Sequence, residues 1–267
     1  MTTGQQRDAE NLEQPPATGG KRPSDQHLSG PLDAIHAFQT THDEHLPDRL
    51  PDDPFGLLND WIEHAKREHV QPNPTAIALA TASDSPAADT APSAGVMPNV
   101  RIVLCRGVDL EQGSIWFFTN GKSVKGEDLA ANPRAAAVFH WDALDRQARL
   151  RGVVEPLPAV ESDAYFESRR WEKRVGAWAS DQSQPVASRE ALEAKLVETL
   201  ERFGIDPKNP PPADAKLDIP RPPHWGGFRI LATEVELWVG SPARMHDRAR
   251  WTRAKPKSPW NATRLQP

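Results

Sequence analysis

Short apolar runs recur at close intervals along this chain, and that spacing constrains the fold more than any other feature. The runs are Ala76 to Ala80, Asn99 to Cys105, Ser114 to Thr119, Ala135 to Trp141 and Arg146 to Glu155, then Gly226 to Ala232, Glu234 to Gly240 and Ala249 to Ala254. Each is strand-sized, several alternate apolar with polar residues, and β-branched and aromatic residues are frequent in them; together they predict strands. Helical patterns are fewer. Pro54 opens one over residues 55–69, with Phe55, Leu58, Trp61 and Ile62 on a single face. Others are predicted over Val124 to Ala131, between Pro158 and Ser168, and between Arg189 and Phe203. Closely spaced strands that outnumber helices predict an α+β chain, mainly β, built as an antiparallel barrel with peripheral helices.

The flanks of this pattern set the organisation. Residues 1–30 are polar and rich in Gly, Pro and Gln, too poor in apolar area to offset the entropy of ordering. Residues 31–53 form a transition, so we expect a disordered or extended segment over 1–53 and one folded domain over 54–267. Long loops are expected at 83–98 and, proline-rich, at 205–223. The chain has 267 residues, 37% of them hydrophobic, enough for a substantial core. A net charge of -5 argues against non-specific nucleic-acid binding. No apolar run approaches the ~20 residues of a membrane span, and Met1 to Pro31 lacks the apolar core of a secretory signal. The single cysteine, Cys105, excludes an internal disulfide and fits a reducing compartment. A cytoplasmic location is the expectation.

Several motifs are decoys. Gly121-Lys122-Ser123 resembles the end of a phosphate-binding loop, but Trp116 stands where that loop needs its first glycine. No metal-ligand spacing is present. Cys105 lies in an apolar strand and reads as a packing thiol. More informative are basic residues that punctuate apolar runs. Arg101 and Arg106 bracket four apolar residues, and alternation puts them on opposite strand faces. Lys125 starts a helix, where its charge opposes the macrodipole; it either meets an anion or points into water. Arg149 and Arg151 suit a solvated strand face, whereas Gln147 can hydrogen-bond a planar heterocycle. The densest cluster is Arg244-Met245-His246-Asp247-Arg248. On a strand, Arg244, His246 and Arg248 share a face. That face fits either an anion site or an edge strand blunted by charge.

Nine stretches, in order, carry a resemblance: RIVLCR (101–106), FFTN (117–120), the Lys125 helix running into AANPRAAAVFHW, RQARLRG (146–152), YFESR (165–169), GAWASDQS (176–183), HWGGFRI (224–230), ELWVGSPARMHDR (236–248) and RLQP (264–267). With these the chain resembles the pyridoxamine 5'-phosphate oxidase family from about residue 54 onward. The resemblance implies an FMN-binding split barrel with peripheral helices, acting as a homodimer with FMN at the subunit interface. It implies oxidation of pyridoxamine or pyridoxine 5'-phosphate to pyridoxal 5'-phosphate by O2, with release of H2O2. By position it implies FMN contacts at Arg101, Phe118, Thr119, Lys125, Gln147, Gln182, Ser183, Trp238 and Arg248. Substrate phosphate would meet Arg106, Tyr165, Arg169 and Lys173, and Arg244 and His246 would face the substrate ring as the catalytic pair.

The sequence departs from that family in places. Lys173, in what we expect to be a substrate loop, replaces the usual serine, Arg106 replaces a common lysine, and Val124 replaces an arginine beside FMN. The family's basic N-terminal lid is not recognisable before Pro54. Two alternatives therefore stay open: a related FMN oxidase of the phenazine-pathway type, and a non-catalytic flavin- or pyridoxal-phosphate-binding protein.

Overall fold

A computed structural model of the chain describes residues 45–83, 96–241 and 244–267. The expected loop at 83–98 and the disordered segment over 1–30 therefore lie largely or wholly outside the described residues.

Helix α1, Phe55–Arg67, begins after Pro54, and its face of Phe55, Leu58, Trp61, Ile62 and Ala65 is buried. Strands β1 (Ala76–Ser83), β2 (Met97–Leu104), β3 (Gly107–Asp109) and β4 (Ser114–Asn120) follow. Next come α2 (Val124–Ala131), β5 (Arg134–Trp141) and β6 (Arg146–Pro156). Helices α3 (Ala159–Glu167), α4 (Trp171–Ala179) and α5 (Arg189–Arg202) precede β7 (Trp225–Val239), β8 (Asp247–Thr252) and β9 (Asn261–Leu265).

All nine strands join one antiparallel sheet in the order β2-β1-β5-β6-β7-β4-β3, with β8 on β7 and β9 on β8. Strand β7 is the branch point. Its first half pairs with β4 and its second half with β8, while β6 runs along its other side. No ladder joins β2 to β3 or β4 among the described residues, so the sheet curls into a split barrel rather than a closed one. The register between β6 and β7 shifts at Arg151/Gly152. Gly152 is required there, because a Cβ would sit 2.1 Å from the Leu231 carbonyl oxygen.

Period-2 alternation assigns the two faces. Leu79, Phe139, Trp141, Leu150, Leu237 and Trp251 point inward and are buried. The outer face carries the alanines of β1 opposite Val100 and Ile102 of β2, which are 66% and 65% exposed. Further along that face, Arg149 and Arg151 are exposed and pair with Glu236 and Glu234.

Four expectations change. What reads as two runs, 226–232 and 234–240, is one strand, because the chain stays extended through Thr233, the residue skipped where the register with β6 shifts. The expected substrate loop around Lys173 is the helix α4. Strand β2 ends at Leu104, so Cys105 and Arg106 lie just beyond it rather than within its alternation. Strand β8 starts at Asp247, so Arg244 and His246 precede it and do not share a strand face with Arg248; Arg244 instead has φ 62°, in the left-handed region.

Candidate active site

Strand β4 aims Ile115 and Phe117 into the core and Phe118 the other way. Phe118 stacks on Tyr165 of α3 at 4.0 Å and on Trp225, the first residue of β7, at 5.2 Å. This stack is one wall of a cavity of about 410 Å³. Arg106, Arg169 and Lys173 also line it, along with Thr119, Asn120 and Gln182. No Asp or Glu does. The three cations come from three places: the link between β2 and β3, the turn after α3, and the first turn of α4.

The Arg169 guanidinium lies 4.9 Å over Trp225 and 5.4 Å over Phe166. Its Nη1 is buried and has no hydrogen-bond partner among the described residues. Burial, with Arg106 and Arg174 nearby, pulls its pKa below the usual arginine value, against the opposing influence of Tyr165. Arg106 sits 6.0 Å from the Tyr165 ring. A desolvated cation without a carboxylate is an unbalanced charge, and an anion in the cavity is the balancing partner.

Beside the cavity, helix α2 starts at a Ser123 N-cap whose hydroxyl accepts from the Gly126 N–H at 3.4 Å. Lys125 does not point into water. It is buried, and its Nζ donates to Gln182 Oε1 (2.6 Å), Ser123 Oγ (2.9 Å) and Thr119 Oγ1 (3.1 Å), all neutral. Burial, then repulsion from Arg101, pushes its pKa down to about 8. Arg101 Nη1 donates to Thr81 Oγ1 at 2.6 Å, and Thr81 donates in turn to Asp128 at 2.6 Å. Thr119 and Gln182 belong both to this network and to the cavity wall. Ser183, next to Gln182, is exposed with φ 71°.

The remaining expected site residues form a second group on the outer face. Gln147, Trp238 and Arg248 stand side by side across β6, β7 and β8. Arg248 donates to Glu236 Oε1 through Nε (3.1 Å) and Nη2 (2.8 Å), and to the Gln266 carbonyl (3.0 Å). The His246 ring lies 4.6 Å from Trp238. Its Nδ1 accepts from the Ser241 N–H at 3.1 Å, so the neutral ring carries its proton on Nε2. Arg244 is exposed. Within one chain no hydrogen bond, ion pair or ring contact among the described residues joins this group to the cavity. Asp247, between the two arginines, ties the C-terminal strands to the segment before α1: it accepts from Leu46 N–H at 2.8 Å and from Arg264.

Comparison with known proteins gives the lineage. The family profile described as pyridoxamine 5'-phosphate oxidase matches residues 62–203, and that of the pyridoxine 5'-phosphate oxidase C-terminal dimerisation region matches 225–267. The chain belongs to the pyridoxamine 5'-phosphate oxidase family. A pyridoxine/pyridoxamine 5'-phosphate oxidase of Maricaulis maris is 45% identical over 217 residues, covering 81% of this chain and 86% of that protein. One from Ralstonia nicotianae is 40% identical over 236 residues, covering 88% and 98%. Among solved structures, PhzG of Burkholderia lata, in complex with tetrahydrophenazine-1-carboxylic acid, has a TM-score of 0.67 at 30% identity, covering 82% of this chain and 95% of that one. A pyridoxamine 5'-phosphate oxidase-related, FMN-binding protein of Nostoc punctiforme shares the fold, with a TM-score of 0.57 at 16% identity over 82% of this chain and 99% of that one. The oxidase family's dimerisation region spans β7 to β9, the strands that carry Trp238 and Arg248 and flank Arg244 and His246.

Trp225, Asn120, Gly176, Ala177 and Ser180 also line the cavity, though their roles do not stand out in the sequence. The last three, with Lys173, recur at helical spacing, so reading residues 171–179 as a helix would have found them. No helix among the described residues is long and apolar enough to cross a membrane, and no metal-ligating cluster occurs among them.

Proposed function

We propose that this chain is an FMN-dependent oxidase that converts pyridoxamine 5'-phosphate or pyridoxine 5'-phosphate to pyridoxal 5'-phosphate, with O2 as acceptor and H2O2 released, plus ammonia from the amine. The observation that carries this reading is the cavity with three cations and, among the described residues, no carboxylate and no hydrogen-bond partner for Arg169 Nη1. A phosphate of charge near -2 suits it, held by Arg106, Arg169, Lys173 and the Tyr165 hydroxyl. FMN fits the neighbouring network. Its phosphate would be held by Lys125 and Arg101 at the start of α2, with Thr119, Gln182 and Ser183 alongside and Phe118 beside it. Gln147, Trp238 and Arg248 would meet its planar ring from a second protomer.

That second protomer has its own support. The outer face exposes Val100 and Ile102 beside a row of alanines, an apolar surface that calls for cover. A two-fold dimer through this face and the C-terminal strands would bring the Gln147–Trp238–Arg248 group of one copy to the cavity of the other.

Bound FMN supplies the redox chemistry, taking two electrons from the substrate carbon and passing them to oxygen. The chain's residues do the rest. The cavity cations fix the phosphate and so the reach of the substrate ring. Arg244 faces the ring as a permanent cation, and His246 offers Nε2–H as a donor to an oxygen or nitrogen on it, its tautomer fixed by Ser241.

A second reading follows from the PhzG likeness: the same site oxidising a reduced phenazine carboxylate. A single carboxylate neutralises the three cations less well than a phosphate dianion. The test is an FMN-loaded full chain in air, given each compound separately. Pyridoxal 5'-phosphate and peroxide in equal amounts support the first reading. Turnover of the reduced phenazine alone overturns it, and FMN binding without any turnover overturns both.

A further inference from the structure

Helix α4 contributes one face to the cavity: Lys173, Gly176, Ala177 and, just beyond its end, Ser180. Gly176 breaks the local rule for such a helix. A mid-helix glycine is less favourable than alanine by roughly 0.5–1 kcal/mol, so it needs a reason. Two other glycines near the site have one in the protein itself. At Gly126 a Cβ would lie 2.2 Å from the Gly121 carbonyl oxygen, and at Gly227 it would lie 2.5 Å from Leu157. Gly176 has none. Its φ is not in the left-handed region, and a Cβ there would meet nothing within 4 Å. The one other such helix position, Gly56, is exposed in the first turn of α1, whereas Gly176 lines the cavity.

We infer that Gly176 is a specificity-determining residue: its missing side chain is space kept for the substrate, which lies against the backbone of α4 beyond its phosphate. This rests on the reading of the cavity as the substrate site. The charge order along the face agrees. Lys173 stands at one end, and Gly176, Ala177 and Ser180 follow as a floor of small residues that leads toward Gln182. A substrate with an anionic head and a flat body matches that sequence of side chains. Local stability is given up where the ligand needs room.

The experiment compares wild type, Gly176→Ala and Gly176→Val as FMN-loaded full chains. Three quantities are read: the melting temperature, KM and kcat for pyridoxamine 5'-phosphate, and the Kd for pyridoxal 5'-phosphate by absorbance titration. Alanine is expected to raise the melting temperature by about 1–4 °C. It should also raise KM and Kd about tenfold, the scale of one misplaced methyl in a close-fitting pocket. Valine should raise KM and Kd further, with FMN content unchanged in both variants. A raised melting temperature with unchanged KM and Kd overturns the inference, since the space is then not the substrate's. A lowered melting temperature with alanine overturns it too, since the glycine then serves the fold. Wild type that binds pyridoxal 5'-phosphate without turnover removes the oxidase reading alone, and the Kd comparison still decides the role of Gly176. Wild type that does neither removes both.

Discussion

Lys125→Met should stabilise the protein without FMN and weaken FMN binding, two effects of opposite sign from one atom. In the free chain the Nζ is buried among neutral acceptors with no carboxylate partner among the described residues, and its pKa falls from 10.5 to about 8. A depressed lysine pKa means the fold disfavours the charged form. Below pH 8 both folded and unfolded chains hold the proton, so the penalty is full, about 2–3 kcal/mol once solvent at the rim is allowed for. Between about 8 and 10.5 the unfolded chain binds more protons than the folded one, so the stability of the FMN-free protein rises with pH across that window. Methionine keeps the stem and removes the charge. The acceptors left behind retain partners: Thr119 Oγ1 donates to Gln182 at 3.1 Å, and Ser123 Oγ donates to the Asn120 carbonyl at 2.6 Å. The variant should therefore gain about 2 kcal/mol at pH 7 and lose the pH-dependent rise. Toward FMN it loses a charge-assisted bond of about 1.5–3 kcal/mol, a roughly 10- to 150-fold higher Kd. Urea denaturation of the FMN-free protein at pH 7 and 9.5, with fluorescence titration of FMN, measures both. A variant that is less stable without FMN and binds FMN as wild type does would contradict the assigned role of the Lys125 charge.

Three further outcomes follow from other parts of the structure. Ile102→Asp with Val100→Asp places charge on the exposed outer face, so sedimentation should show the assembly falling to a 29.6 kDa species, with FMN affinity falling alongside. Cys105 is buried and its thiol is pushed up to about 11, so it should resist alkylation at pH 8 in the native protein and react once unfolded. Arg169→Lys keeps the charge but loses the planar stacking on Trp225, and should raise KM for pyridoxamine 5'-phosphate about tenfold or more while the melting temperature changes little.

Much of this architecture is legible in the sequence, because strand alternation and the α1 face are local patterns. Phe55, Leu58, Trp61 and Ile62 are buried together as their spacing requires. Helix α4 was not legible. It is short, holds a mid-helix glycine, and has no side-chain cap. Its support is tertiary: the Trp171 and Trp178 indoles donate to the Pro212 and Pro220 carbonyls of the proline-rich loop, at 3.0 Å and 2.7 Å. The continuity of β7 was hidden by the two glycines near its start and by Thr233, the extra residue that bulges out of its ladder with β6. Basic residues marked the site in advance, but the cavity joins three of them from separate elements across a turn and a helix that only packing defines. Glu236 shows the same limit. Alternation puts it beside Trp238's neighbours, yet its hold on both Arg149 and Arg248 depends on the register of three strands.

In the proposed enzyme the oxidase site is assembled from two copies, with the cavity from one and Arg244 and His246 from the other. Arg169→Ala and Arg244→Ala damage different halves of it. Each variant alone should lose pyridoxamine 5'-phosphate oxidation. Co-expressed, they form hybrids in which one of the two sites receives an intact half from each chain. Statistical mixing then restores about a quarter of wild-type activity. Recovery to that level, with pyridoxal 5'-phosphate and peroxide formed together, is the predicted result. No recovery, in hybrids confirmed to have formed and to hold FMN, would contradict the shared site.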